Sequence, residues 1–228
     1  MSPRPASIVF ADVDQTLITG KSMISFLEYH LDRTEPGGFA RAMAELDRLA
    51  AAGMSREASN RAYYRFFAGQ RVEQVLRHGR EWFDIQLATG DLFHRPAMEL
   101  CRDQQRRGAR LALVSGSFEP CLRPIADHLG ADWLLCGGPE IDGGRYQDRL
   151  RPTVIDAGKA TVVNDLLART GVAAADCLAL GDHSSDLAML CAAGAAVVVG
   201  DDPVLRAEAA VRGWHSLPGP ALAAAVRI

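Results

Sequence analysis

One stretch constrains this chain more than any other: Ser7-Ile8-Val9-Phe10-Ala11 followed at once by Asp12-Val13-Asp14-Gln15-Thr16-Leu17. Four consecutive apolar residues, two of them β-branched, form the pattern of a strand buried on both faces, as in a parallel sheet. Two carboxylates do not belong inside such a strand, so they mark its C-terminal tip, the edge at which open α/β sheets bind ligands. Alternation sends Asp12 and Asp14 to one side and Val13 to the other. Carboxylates held this close repel, raising one pKa unless a cation intervenes, so the pair requires either a metal or a shared proton. Taken alone it fits an Asp-rich turn equally well, and the rest of the chain has to decide.

After Thr16 the hydrophobic period becomes helical. Ser22 is placed to cap a helix carrying Ile24, Phe26, Leu27 and Leu31, and Glu35-Pro36-Gly37-Gly38 breaks it. Phe39 to Ala52, Ser55 to Phe67 and Val72 to Leu87 continue as three more helices. Roughly 70 residues of helix-only sequence exceed the ~30 of a simple βαβ crossover. An inserted helical cap over 19–90 follows, with 1–18 and 91–228 forming the α/β core.

Alternation then sets in. A helix from Pro96 to Arg107 leads to a strand at Arg110–Val114, which Ser115-Gly116-Ser117 is expected to end. Further helices fall at Glu119–Leu129, Lys159–Ala168 and Leu187–Ala192, and strands at Trp133–Cys136, Cys177–Leu180 and Ala195–Val199. Asp142-Gly143-Gly144 has the composition of a hairpin turn. Gly181-Asp182 and Gly200-Asp201-Asp202 follow two of the strands. Acids and hydroxyls recurring at strand ends are what one active edge of a doubly wound sheet produces.

Composition narrows the function classes. A 48% hydrophobic chain of 228 residues can bury a sizeable core. A net charge of −3 offers no broad basic surface, which argues against nucleic acid as a partner. Leu187 to Gly200, the longest charge-free run late in the chain, falls short of the ~20 apolar residues a membrane span needs. Ile8 to Ala11 is too short for a signal-peptide core. Five cysteines, odd in number and without CxxC spacing, fit reduced thiols in a cytoplasmic protein.

In this order and setting the acids, Ser115 and Lys159 resemble the haloacid dehalogenase-like (HAD) superfamily, whose motifs are DxDxT/V, a strand-end Ser or Thr, a Lys, and GDxxxD. Here these are Asp12 to Thr16, Ser115, Lys159, and Gly181-Asp182 through Asp186. Leu113-Val114-Ser115-Gly116-Ser117, Arg123-Pro124-Ile125-Ala126, Leu129-Gly130, Asp142-Gly143 and Arg212-Gly213-Trp214 resemble, more narrowly, the phosphoserine-phosphatase-like branch, which carries a small helical cap. The implied fold is a doubly wound, mostly parallel Rossmann-like core with an inserted all-helical cap. The implied activity is Mg²⁺-dependent hydrolysis of a small-molecule phosphate monoester by a monomer or homodimer.

The residue types suit that chemistry. Asp12 is the candidate nucleophile forming an aspartyl-phosphate, and Asp14 the acid that protonates the leaving group and then activates water. The resemblance assigns Mg²⁺ to Asp12, the Asp14 carbonyl and Asp182, with Asp186 in support. It assigns the phosphoryl oxygens to Lys159, the Ser115 hydroxyl and nearby N–H groups. Thr16, Lys21, Gly116, Ser117 and Ser185 are expected on the substrate side, along with the cap arginines Arg61 and Arg65. His183 is expected at the surface or facing substrate, and Asp201 and Asp202 in a turn.

Two positions depart from the branch. Phosphoserine phosphatases usually carry an acid nine residues after the nucleophile, where this chain has Lys21. They also place Asn before the last Asp of GDxxxD, where this chain has Ser185. A cation at 21 repels a substrate ammonium and welcomes an anion or a hydroxyl-rich group, which points away from phosphoserine. Two other uses of such acids remain at this point. One is a phosphotransferase, passing the same phosphoryl group to an alcohol; the other is a receiver-like signalling domain, which would lack both the helical insert and GDxxxD.

Overall fold

The computed structural model describes residues 5–220. In chain order, β1 (Ile8–Ala11) is followed by four helices, α1 (Ser22–Thr34), α2 (Gly38–Ala51), α3 (Arg56–Arg65) and α4 (Val72–Ala88). Then come α5 (Arg95–Arg106), β2 (Arg110–Phe118), α6 (Glu119–Leu129), β3 (Trp133–Gly137) and a hairpin of β4 (Pro139–Asp142) and β5 (Arg145–Leu150). The chain continues through α7 (Ala157–Thr170), β6 (Cys177–Gly181), α8 (Leu187–Cys191), β7 (Ala195–Val199), α9 (Pro203–Arg212) and β8 (His215–Leu217).

Six strands form one parallel sheet in the order β3-β2-β1-β6-β7-β8. That order makes β1 and β6 the pair where the winding reverses, and the crevice beyond their carboxyl ends is where doubly wound sheets bind ligands. Asp12 leaves β1 and Asp182 leaves β6 at that point. Alternation along β1 divides the core between two faces. Val9 and Ala11 join the cluster that continues into the cap helices, while Ile8 and Phe10 pack under α7 and α9.

Two local expectations need correction. Ser115-Gly116-Ser117 does not end β2: the strand runs on to Phe118 with a register shift against β3 between Ser115 and Phe118. Such a bulge re-aims side chains at a sheet edge. Ser22 is not the N-cap of α1; Lys21 is, without a side-chain hydrogen bond, and Asp14 Oδ1 takes the Ser22 N–H instead at 2.8 Å. Helix α9 and strand β8 carry no clear periodic signal in the sequence. Among the described residues, no helix is long and apolar enough to cross a membrane.

The cap helices are tied to the core by backbone as well as by apolar packing. The β4–β5 hairpin reaches the α3–α4 junction through Gly69 N–H to Tyr146 O, Tyr146 N–H to Gln70 O and Val72 N–H to Gly144 O. Helix α4 lies against α6 closely enough that a Cβ on Gly79 would stand 1.9 Å from Pro120 O, so only glycine permits this approach.

Behind the cap a buried aromatic group surrounds His30, with Phe26, Phe67 and His78 as ring neighbours. His30 Nε2 lies 2.7 Å from Gln70 Oε1 and its Nδ1 lies 3.0 Å from His78 Nδ1. With both rings neutral these bonds are compatible: His30 Nε2–H donates to Gln70, and His78 Nδ1–H donates to His30. A proton on His30 Nδ1 would set two donors against each other, and burial lowers the His30 pKa from 6.5 to about 4. The unfolded chain therefore binds a proton that the folded chain refuses between those values, so this contribution to stability is lost as pH falls from 6.5 to about 4. Thermal melts over that interval should show acidification costing the wild type more Tm than it costs His30→Gln, whatever the other groups add to both. Equal slopes in the two proteins would exclude the role.

Candidate active site

The C-terminal edge of the sheet gathers the acids. Asp12, continuing β1 through its N–H to Leu180 O at 3.0 Å, is buried beneath the cap. Lys159, in the first turn of α7, reaches across the sheet edge. Its Nζ donates to Asp12 Oδ1 and to Asp186 Oδ1, both at 2.5 Å. Asp182 completes the group: one carboxylate oxygen from each of Asp12, Asp182 and Asp186 lies within 4.8 Å of the others.

Local backbone explains how Asp186 gets there. Its Oδ2 accepts the N–H groups of Asp182 and His183, both at 3.1 Å, so the carboxylate closes the loop that follows β6. A Cβ on Gly181 would lie 2.6 Å from Asp186 Cβ, which is why the residue before Asp182 is glycine. His183 Nδ1 takes the Ser185 N–H at 3.0 Å. Asp202 caps α9 through the N–H groups of Val204 and Leu205, and its other oxygen accepts from Ser184 N–H at 3.1 Å. Asp202 therefore fastens the loop from outside the acid cluster.

Electrostatics at this edge are those of crowded, dry carboxylates. Burial pushes Asp12 well up, against the pull of Lys159, and Asp186 and Asp182 push it further. Burial and then Asp186 raise Asp182 to about 6. Burial alone would lower the Lys159 ammonium, but Asp12 and Asp186 more than offset it and hold it above its ordinary value. Three carboxylates against one ammonium leave two negative charges uncompensated when all are ionised. Hard oxygen donors with that balance fit a divalent cation of the Mg²⁺ type. Asp14 stands apart from this cluster. Its pKa is raised chiefly by burial, partly offset by hydrogen bonds from Ser22, which suits a group that must carry a proton.

Above the edge lies a cavity of about 650 Å³ between sheet and cap. Ten of the sequence-predicted site residues line it: Asp12, Asp14, Lys21, Ser115, Gly116, Ser117, Lys159, Asp182, Ser185 and Asp186. Ser115 is buried, and its Oγ accepts from Ser117 N–H at 3.1 Å, which leaves its own O–H for a ligand. A Cβ on Gly116 would come within 2.8 Å of the Ile155 side chain.

Three expected substrate-side residues lie elsewhere. Thr16 is fully buried and its Oγ1 donates to Asp182 Oδ1 at 2.9 Å, so it positions an acid instead of facing the cavity. The turn that follows Asp14 brings the Thr16 side chain to Asp182, just after β6, and His94 Nδ1 lies 3.1 Å from the Thr16 carbonyl. Arg61 and Arg65 do not line the cavity among the described residues. Helix α3 turns Asn60, Tyr63 and Tyr64 inward, which carries both arginines to the outer side, where Arg65 lies 3.6 Å from Asp148.

Asn60, which lines the cavity, and Tyr64, which supports Gly116, are residues that the sequence pattern did not single out. Asn60 Nδ2 and Tyr64 OH both donate to Gly116 O, at 3.0 and 2.9 Å, and so fix the bulged end of β2 from the cap. A signal was present: Asn60 and Tyr64 share one helical face, and a buried tyrosine needs a partner for its hydroxyl.

A protein-family model described as haloacid dehalogenase-like hydrolase matches residues 9–190. Among curated proteins, a phosphoserine phosphatase of Streptomyces coelicolor is 30% identical over 208 residues, which are 90% of this chain and 47% of that protein. The chain thus spans about half of that relative's length. A probable phosphatase of Mycobacterium tuberculosis is 29% identical over 225 residues, 95% of this chain and 76% of that protein. Among solved structures, a protein of unknown function from Bordetella pertussis matches with a TM-score of 0.81 at 24% identity, covering 94% of this chain and 99% of that one. That last likeness is one of fold.

Proposed function

Because the chain belongs to the haloacid dehalogenase-like hydrolase family, we propose that it falls in the phosphoserine-phosphatase-like branch and is a Mg²⁺-dependent phosphomonoester hydrolase working through an aspartyl-phosphate on a substrate other than phosphoserine. The observation that carries this reading is Lys159 Nζ held between Asp12 and Asp186 beside Asp182. An ammonium so placed keeps Asp12 available as a nucleophile and stands ready for phosphoryl oxygens.

Asp12 attacks phosphorus through a carboxylate oxygen while the bond from phosphorus to the ester oxygen breaks. Asp14, whose half-buried carboxyl holds a proton more firmly than usual, gives that proton to the departing alcohol. Asp14 then takes a proton from water as the water attacks phosphorus, releasing inorganic phosphate and restoring Asp12. The Ser115 hydroxyl and the N–H groups beside it face the oxygens on which charge is spread. Asp12, Asp182 and Asp186, with the Asp14 carbonyl, would hold Mg²⁺, which neutralises phosphate charge so that a carboxylate can approach.

Lys21 supports a substrate without an ammonium, since it lines the cavity where the branch usually has an acid. Asp47, an exposed carboxylate on α2, is the opposing charge on the cap wall. Phosphate release from a broad phosphomonoester panel, with Mg²⁺ and with EDTA, tests both parts. Release should require Mg²⁺, phosphoserine should be a poor substrate, and Lys21→Glu should improve it by about ten-fold, the equivalent of ~1.4 kcal/mol of altered charge interaction. Phosphoserine as the best substrate of the wild type would overturn the specificity. Phosphorylated product from an added polyol, in place of free phosphate, would make the protein a transferase.

A further inference from the structure

The cap side of the cavity has a chemistry that the reaction does not use. Helix α2 places Met43, Leu46 and Ala50 on one stripe, and Met23 and Ile24 from α1 with Met54 after α2 extend it. Within α2 only Gly38 and Ala42 are fully buried; Phe39 and Leu46 pack partly against the core, while Met43, Leu46 and Ala50 also line the cavity. Met54 is 40% exposed.

Inside the rim the polar groups on that wall are Ser59, Asn60 and Tyr63, and the donors of the last two are already committed. Tyr63 OH donates to Met23 O at 2.7 Å, and Asn60 Nδ2 to Gly116 O at 3.0 Å. Lys21 and Asp47 are exposed, which places them at the rim. Phosphoryl-binding groups are thus gathered on the floor, and what faces them across about 650 Å³ is mostly thioether and alkyl, with Ser59, Asn60 and Tyr63 among it. That volume is typical of a pocket for a whole small molecule and far exceeds what a phosphoryl group fills.

We infer that the leaving group is an apolar alcohol or phenol, whose alkyl or aryl body packs on the Met43–Leu46–Met54 wall while the phosphoryl group meets Asp12. This rests on the phosphatase reading and refines it. Hydroxyl-rich esters would leave their hydroxyls unpaired against that wall, a penalty an alkyl chain avoids. Unbranched thioether side chains adapt to differing apolar shapes, so the wall suits a class of bodies instead of one outline.

Two homologous series test it. With methyl, butyl, hexyl and octyl phosphate, kcat/KM should rise by roughly four-fold per methylene before levelling off. The longer esters should exceed glycerol phosphate and phosphoserine at least ten-fold, and phenyl phosphate tells aryl from alkyl preference. Alkylphosphonates, which cannot be hydrolysed, should raise Tm and inhibit more strongly as the chain lengthens. Met43→Asn/Leu46→Asn should flatten both dependences; should that variant fail to fold, the wild-type series decides. Turnover independent of chain length, with glycerol phosphate favoured, would overturn the apolar subsite and leave the phosphatase reading standing. Chain-length-dependent phosphonate binding without turnover of any ester would do the reverse.

Discussion

Asp12→Asn should fold, melt at or above the wild-type temperature and release phosphate at least about 10⁴-fold more slowly, because it removes the attacking oxygen and leaves the amide's shape in place. The stability half follows from crowding. Asp12 is one of three clustered carboxylates beside a single ammonium, two of them buried and one half-buried, and its own pKa is forced up by burial and by Asp186 and Asp182. Asn at 12 relieves that repulsion while Lys159 keeps Asp186 as a partner. Loss of turnover with a preserved melt would therefore separate chemistry from folding. Asp14→Asn provides the contrast. It should slow both steps, the second because the group that takes the proton from the attacking water is gone, so acid-quenched samples should hold covalent phosphoenzyme that Asp12→Asn never forms. Turnover within a hundred-fold of wild type in Asp12→Asn would remove Asp12 from the nucleophile's place.

The parts of this site that the sequence announces are those set by one strand end. A buried apolar run admits acids only at its tip, so the residue pattern alone places Asp12, Asp14, Ser115 and Asp182 along one edge, and the parallel order β3-β2-β1-β6-β7-β8 brings them together. What stays hidden depends on rotation about helices and on returns of the chain. Arg61 and Asn60 are neighbours in sequence, yet only Asn60 turns toward Gly116 O, and periodicity alone cannot say which face of α3 meets the sheet. Thr16 lies two residues beyond Asp14, and only the turn between them reveals that its hydroxyl supports Asp182. The bulge at Ser115 to Phe118 is invisible because Ser-Gly-Ser has the composition of a turn and the strand passes through it. The hairpin's hold on the α3–α4 junction is of the same kind, being mostly backbone to backbone, with the Arg145 guanidinium added on Gly69 O at 2.6 Å.

Lys159→Met should be the most damaging single change to the cluster, in stability as well as rate. Methionine keeps much of the side-chain length while deleting the charge that Asp12 and Asp186 both lean on at 2.5 Å. Removing one partner from a buried ion pair costs about 3–5 kcal/mol, which for a chain of this size lowers Tm by roughly 10 °C. Turnover should fall at least about 10²–10³-fold, the scale of a lost charge-stabilising donor. The pH dependence gives this cause a distinct sign. Asp12 and Asp182 have pKa values raised above 3.8 in the folded protein, Asp182 to about 6, so the folded state binds protons that the unfolded state has released. Their burden on stability is absent at low pH and grows as pH rises through that range. Without Lys159 it should grow further, so the Tm gap between variant and wild type should widen from pH 5 to pH 8, opposite in sense to the His30 effect. Millimolar Mg²⁺ at pH 8 should narrow the gap again by supplying positive charge to the same carboxylates. A gap that neither widens with pH nor responds to Mg²⁺ would mean that Lys159 is not what balances them.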